Sequence, residues 1–288
     1  MYVDKLEDNP ADKQIALIIP SHFSGFKIFI DILSGIRAAL DKKKIGILIS
    51  ISNMNHEKEK DTIERLISRH VDGMIIFLED HYRQDYSHIA KLREANYPFV
   101  LIDRYIPELD TDYVVVDNTI AMGRICAYLK YNRYCDKLIF VPDNEAPENI
   151  SSSEEKLAGF RTAMEVLYGR EDGTVLSFDE LVSQICDISS SHKNVGICVN
   201  HDGLITSLFQ SLEKLNISLP SNCHLFGYNN SFETPLYPTV EQFNDKAGMK
   251  AAEILMERME NPTGSRTHYR IEPKLVLPDA DGNFSFES

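Results

Sequence analysis

The chain has 288 residues, 43% of them hydrophobic, enough for one large domain or two lobes around a sizeable core. Its 30 basic and 44 acidic residues give a formal charge of −14, which argues against this chain wrapping nucleic acid by itself, because phosphate binding needs basic clusters. The polar N-terminus lacks the basic start and apolar stretch of a signal peptide, no apolar run approaches the roughly 20 residues of a membrane span, and scattered cysteines fit a reducing cytoplasm.

Ile15–Pro20 reads as a strand, followed by a turn with helix-capping residues, Ser21 to Gly25. Phe29, Ile32, Leu33, Ile36 and Leu40 then recur at helical spacing. Ile45–Ile51 is the next strand. A charged helix follows, with Ile63, Leu66 and Ile67 expected inward. Val71-Asp72-Gly73 is a turn, Met74–Leu78 a strand, Asp85–Glu94 a helix and Phe99–Ile102 a strand. Tyr113-Val-Val-Val is a further buried apolar run, ending at Asp117.

The alternation then restarts. Helices are expected at Ile120–Lys130, Glu154–Leu167, Asp179–Ile188, Leu204–Leu215 and Asp245–Met259. Strands are expected at Lys137–Val141, Thr174–Phe178, Val195–Val199, His224–Gly227 and Ile271–Leu277. Pro142–Ser153 reads as a polar loop. On the last helix Ala247, Ala251, Ile254 and Leu255 share a face. Strands alternating with helices mean βαβ units and parallel sheets, doubly wound because crossovers are right-handed. One large sheet is possible. Two sheet lobes with a ligand cleft between them fit the restart better.

Motifs for catalysis and metal binding are lacking. No Gly-x-Gly-x-x-Gly follows a strand, and there is no Walker A loop, no His-Glu-x-x-His and no Gly-x-Ser-x-Gly elbow. No cysteine pair has zinc-finger spacing. His81 and His88 are read as a solvated helix edge, and Cys186, Cys198 and Cys223, in apolar runs, as small hydrophobes. The expectation is therefore no enzyme, no catalytic residue, no metal and no cofactor.

A binding role has positive support. Polar residues recur where strands end: Ser21 and His22, Ser52 and Asn53, Asp103 and Arg104, Asn200, His201 and Asp202, Asn229 and Asn230. Asn and Asp also favour strand-to-loop turns, but in open α/β sheets ligands bind outside the carboxyl ends of the strands. A carboxylate beside a guanidinium at Asp103-Arg104 could accept from and donate to one polyhydroxy ligand. Phe23 and Phe26 could wall a sugar face or simply pack.

Four segments, in this order, carry a resemblance: Arg69-His-Val-Asp72-Gly73-Met-Ile-Ile; Leu101-Ile-Asp103-Arg104-Tyr105 with Val116-Asp117-Asn118; Leu225-Phe-Gly227-Tyr228-Asn229-Asn230; and Pro238-Thr-Val-Glu-Gln242 with Gly248-x-x-Ala251-Ala252. From Lys13 to about Leu277 the chain resembles the effector-binding domain of the lactose/galactose-repressor family, with the type 1 periplasmic-binding-protein fold. Asp103-Arg104-Tyr-Ile-Pro107 looks like the arabinose-repressor subgroup, where this domain follows a gluconate-repressor-type winged helix.

The resemblance implies a polar linker at 1–12, an N-terminal lobe of 13–117 plus 245–261, and a C-terminal lobe of 118–244 plus 262–288. It implies a cytoplasmic, dimeric regulator that senses a small effector, a sugar or sugar derivative. DNA would be bound only through a domain outside this chain, and no membrane is involved. The alternative is the solute-binding protein of a sugar transporter. The expected ligand contacts are Asp103, Arg104, Lys156, Asn200, Asn229 and Gln242, with His22, Phe23 and Phe26 as a wall. Three positions depart from the family pattern: Lys156 stands for an arginine, His201 for an aspartate and Asn229 for an aspartate. Lysine is a point donor that cannot form the bidentate fork, so the resemblance implies a changed ligand.

Overall fold

The computed structural model describes residues 13–20, 26–41, 43–52, 55–79, 85–143, 150–169, 174–232, 235–279 and 281–287. The chain divides into two compact units. Unit 1 gathers Phe29–Val115 and Asn244–Tyr269 with the first strand; unit 2 gathers Val116–Phe243 and Arg270–Ser288 with the start of the first helix.

Unit 1 is built on a six-stranded sheet of β1 (Gln14–Ile19), β2 (Gly46–Ile51), β3 (Gly73–Ile76), β4 (Phe99–Ile102), β5 (Tyr113–Val116) and β11 (His268–Ile271), in the order β11-β5-β4-β3-β1-β2. The β1–β2, β1–β3, β3–β4 and β4–β5 pairs are parallel. β3 and β4 are buried along their whole length, which is why they read as unbroken apolar runs rather than as alternating ones. Helices α1 (Phe26–Leu40), α2 (His56–Ser68), α3 (Ser87–Glu94) and α8 (Asn244–Glu260) accompany this sheet. Asn55 caps α2 by accepting from the Lys58 N–H at 2.9 Å.

Unit 2 repeats the plan with a four-stranded parallel sheet, β7-β6-β8-β9, from β6 (Lys137–Val141), β7 (Thr174–Val175), β8 (Val195–Val199) and β9 (Cys223–Phe226). Its helices are α4 (Asn118–Asn132), α5 (Ser151–Tyr168), α6 (Phe178–Ser191) and α7 (Asp202–Lys214). Asp117 caps α4 through the Ile120 N–H, and Ser177 with Glu180 forms a capping box on α6. Phe178 therefore opens a helix rather than closing a strand. One core cluster lies around Phe140, Phe160, Phe226 and Tyr228, a second around Ile139, Ile197, Leu208 and Leu225.

Several expectations need correction. The single terminal strand is two. The chain breaks at Glu272-Pro273, where proline has no N–H to continue a ladder. Beyond the break β12 (Lys274–Pro278) joins an antiparallel sheet, β10-β12-β13, with β10 (Thr239–Glu241) and β13 (Phe284–Phe286). The parallel pattern did not announce this sheet.

Residues 262–269, expected with the C-terminal lobe, group with unit 1, where Thr267 donates its N–H to the buried Asp112 carboxylate at 2.8 Å. Ile67, expected inward, is 39% exposed, because the apolar stripe of α2 is centred on Ile63 and Leu66. Cys186 is exposed. His88 is buried, its Nε2 lying 2.9 Å from the fully buried carboxylate of Glu59, so it sits on no solvated helix edge. His81 and the expected linker at 1–12 lie outside the described residues.

Candidate functional site

In unit 2 the parallel strands β6 and β8 end together. The Asn200 N–H donates to the Val141 carbonyl at 3.0 Å, which fixes Asn200 at the sheet edge. Asn200 is only 7% exposed, and its Oδ1 has no hydrogen-bond partner. A buried acceptor left open is uncommon and marks a place where a donor can be taken up.

Lys156 comes from the buried stripe of α5, with Gly159, Phe160, Ala163 and Met164. Its Nζ donates to the Asn200 carbonyl at 2.9 Å and lies 4.0 Å from the centroid of the Tyr228 ring. The ring's negative face and the carbonyl offset part of the cost of burying the ammonium.

Asn229 and Gln242 form the second pair, with Gln242 Nε2 donating to Asn229 Oδ1. Asn229 and Asn230 carry positive φ, 95° and 46°, conformations that Asn tolerates better than other residues with a Cβ. Asn230 Nδ2 donates to Glu241 at 2.7 Å.

Asp202, another strand-end carboxylate, serves the fold. It accepts from the Tyr228 N–H at 2.8 Å, the Ser231 N–H at 2.8 Å and the Thr239 hydroxyl at 3.0 Å. Burial pushes its carboxyl up from the usual carboxylate value, against the pull of these donors. Gly227 makes room for it, since a Cβ there would lie 2.0 Å from Asp202 Oδ1. His201 Nε2 pairs with Asp143 Oδ2 at 2.9 Å, beside the same sheet edge.

In unit 1, Asp103 follows β4 with φ of 68°, and its N–H donates to the Val114 carbonyl at 2.9 Å. Arg104 Nε lies 3.7 Å from Asp103 Oδ2. Its Nη1 donates to the Leu78 carbonyl at 2.9 Å, and its guanidinium lies 5.1 Å from the Phe77 ring centroid. The pair is thus held against the exit of β3.

Of the residues expected at the site, the structure brings together Lys156 with Asn200, Asn229 with Gln242, and Asp103 with Arg104. His22, Phe23 and the side chain of Phe26 lie outside the described residues. Sequence reasoning missed Tyr228 as the surface under Lys156. The signal was present: a tyrosine directly after a core strand needs a partner for its hydroxyl once buried. Among the described residues no three His, Cys, Asp or Glu side chains converge as a metal site, and no helix is long and apolar enough to cross a membrane.

Residues 12–192 match the family model of periplasmic binding proteins and the sugar-binding domain of the LacI family, and residues 144–277 match that of the periplasmic binding protein-like domain. The HTH-type transcriptional repressor PurR of Salmonella newport is 23% identical, over 94% of this chain and 81% of the relative. A LacI-family transcriptional regulator from Enterococcus faecalis V583, solved with bound ribose, superposes with a TM-score of 0.70 at 20% identity, covering 92% of this chain and 97% of that one. A periplasmic binding protein/LacI transcriptional regulator from Alkaliphilus metalliredigens QYMF, complexed with D-xylulofuranose, gives 0.72 at 21% identity, over 96% of this chain and 100% of that one. At these identities the structural likeness establishes the fold.

Proposed function

The chain belongs to the family of periplasmic binding proteins and LacI-type sugar-binding domains, and from that premise we propose that it is the effector-sensing domain of a bacterial transcription regulator, with a sugar as effector. The observation that carries this reading is the strand-end chemistry of unit 2. A buried ammonium, Lys156, and the carboxamides of Asn200, Asn229 and Gln242 sit at or beside the sheet edge, and the Asn200 oxygen is an open acceptor. Such groups suit a ligand bearing several hydroxyls, each a donor and an acceptor at once. A relative solved with ribose and another with D-xylulofuranose support the same ligand class.

The proposed ligand contacts of unit 2 are Lys156, Asn200, Asn229 and Gln242; Asp103 and Arg104 are the strand-end candidates of unit 1, taken by itself. Occupancy would control a DNA-binding domain joined to this one, in a cytoplasmic homodimer, with no chemistry performed on the ligand. The relatives named as repressors favour this over a transporter component.

A thermal-shift panel of D-ribose, D-xylulose, other pentoses, hexoses and their phosphates tests the reading. A ligand that binds only the native state raises the melting temperature by mass action. A panel with no shift at saturating sugar rejects the sugar class. A shift that survives both Asp103→Ala and Asn229→Ala rejects this residue set.

A further inference from the structure

The aromatic ring beneath Lys156 is itself held from behind. The Tyr228 hydroxyl donates to Asn118 Oδ1 at 2.8 Å, and both residues are buried. Asn118 Nδ2 donates in turn to Glu155 Oε2 at 3.1 Å, which settles which end of the amide faces the tyrosine. The other carboxylate oxygen of Glu155 accepts from Arg270 Nη2 at 2.7 Å. Glu155 and Lys156 are neighbours on α5. One reaches Tyr228 around the back, through Asn118; the other lies on the ring's face.

The two outer members stand at particular places in the chain. Asn118 is the first residue of α4, two residues after β5 ends at Val116, where the chain enters unit 2. Arg270 is the first residue of unit 2 after the chain returns from unit 1. The Asp117 N–H donates to the Ile271 carbonyl at 2.9 Å, so the two entering segments are also tied to each other. Both segments are thereby tied to the ring on which Lys156 rests.

We propose that Asn118, Glu155 and Arg270 are positioning residues for Lys156, acting through the Tyr228 ring, so that the segments entering unit 2 set the donor geometry an effector meets. The inference rests on the reading of Lys156 as an effector contact. None of the three needs to touch the ligand. Tyr228 and Asn118 are both buried, and a hydrogen bond in such a low-dielectric setting is stronger than in water, so a displacement of one partner is carried to the other. Asn118 and Tyr228 carry the relay; Glu155 and Arg270 keep the Asn118 amide from turning over.

The test uses the whole chain and two readouts. Reactivity of Lys156 toward trinitrobenzenesulfonate, followed by peptide mass spectrometry and normalised to the other lysines, reports the ammonium directly. Tyr228→Phe keeps the ring and removes only the hydroxyl; Asn118→Ala removes the acceptor. Each is expected to raise Lys156 labelling about fivefold, the population change that follows loss of one buried hydrogen bond. The double variant is expected to add nothing further, because both changes cut the same link.

Unchanged labelling in both single variants, or additive increases in the double variant, overturns the proposal. The second readout is the thermal shift given by D-ribose. A shift that shrinks in Tyr228→Phe alongside raised labelling supports the proposal. A shift that stays whole while labelling rises overturns the link to binding. Should D-ribose give no shift in the unaltered chain, the sugar reading fails for that probe, while the labelling result still decides whether Asn118 positions Lys156.

Discussion

Arg258 and Asp112 form a two-pronged ion pair inside unit 1, with Nε to Oδ2 at 2.7 Å and Nη2 to Oδ1 at 3.0 Å. They are 5% and 1% exposed. The same guanidinium also donates to the carbonyls of Asn261, Gly264 and Ser265, so it ties the end of α8 and the chain beyond it to the start of β5. Removing Asp112 strips both Arg258 and the neighbouring Arg266 of a buried carboxylate, at a cost of about 3–5 kcal/mol, whereas removing Arg258 leaves Asp112 with Arg266 Nη1 at 3.5 Å and takes the donor from three carbonyls. Arg258→Ala is therefore expected to shift the urea midpoint strongly downward. Arg258→Lys, which keeps the charge but cannot make the two-pronged contact, is expected to recover part of that loss, and a lysine variant no better than the alanine would contradict the assignment.

Gly35 on α1 and Gly248 on α8 allow a close helix crossing. A Cβ at Gly35 would lie 1.8 Å from the Asp245 carbonyl oxygen, and one at Gly248 would lie 2.0 Å from that of Ile32. Backbone cannot swing aside as a side chain can, so Gly35→Ala and Gly248→Ala should each destabilise by about 1–3 kcal/mol or more. Gly123 in α4 is the control: nothing lies within 4 Å of its Cβ position, and Gly123→Ala should stabilise by about 0.5–1 kcal/mol through helix propensity. Chemical denaturation of the three variants checks the contrast in sign.

Asp85 accepts the Ser87 N–H at 2.8 Å at the start of α3. Hydrogen bonds from the backbone and hydroxyl of Ser87, with His56 nearby, hold its carboxyl down from 3.8 to about 2. A carboxyl depressed on folding contributes stability above its ordinary value, and that contribution is lost as pH falls through the folded value. The unaltered protein should lose stability between pH 3.8 and about 2 more steeply than Asp85→Ala does. Equal melting-temperature profiles for the two proteins across that window would show that Asp85 has no such role.

All five cysteines are free, and only Cys186 is exposed. Burial pushes the Cys135 thiol up to about 12 and the Cys223 thiol up to about 11, where little nucleophilic thiolate exists at neutral pH. Ellman's reagent should therefore modify a single thiol rapidly in the native protein, and Cys186→Ser should abolish that phase. The remaining thiols should react only after unfolding in urea.

The parallel sheets were legible because fully buried strands write themselves as apolar runs. Phe99–Ile102, Lys137–Val141 and Val195–Val199 are found where the pattern puts them. The antiparallel sheet was not, because Thr239–Glu241 and Phe284–Phe286 are too short to establish a period. His88 was misread because the residue that buries it, Glu59, lies on another helix, and no local pattern reports a partner 29 positions away. The same limit hid Tyr228: two partners of its side chain, Asn118 and Lys156, are 110 and 72 positions earlier in the chain. At the candidate site the strand-end residues could be named from sequence. The division of labour among them could not, since only three-dimensional contacts distinguish Asp202, fully engaged with its own fold, from Asn200, which keeps an open oxygen.

The left-handed backbone at Asp103 in unit 1, and at Asn229 and Asn230 in unit 2, limits how each of these strand ends can change over generations of mutation. At such positions glycine, asparagine and aspartate are the tolerated residues, while most other side chains would strain the chain. The accessible alphabet is thus one amide, one carboxylate and one blank. Exchange of Asp for Asn turns a pure acceptor into a donor and acceptor without moving the backbone. New ligand preferences can then arise by single substitutions that leave the scaffold untouched, whereas bulkier innovations are confined to neighbours with ordinary backbone, such as Gln242 and Lys156.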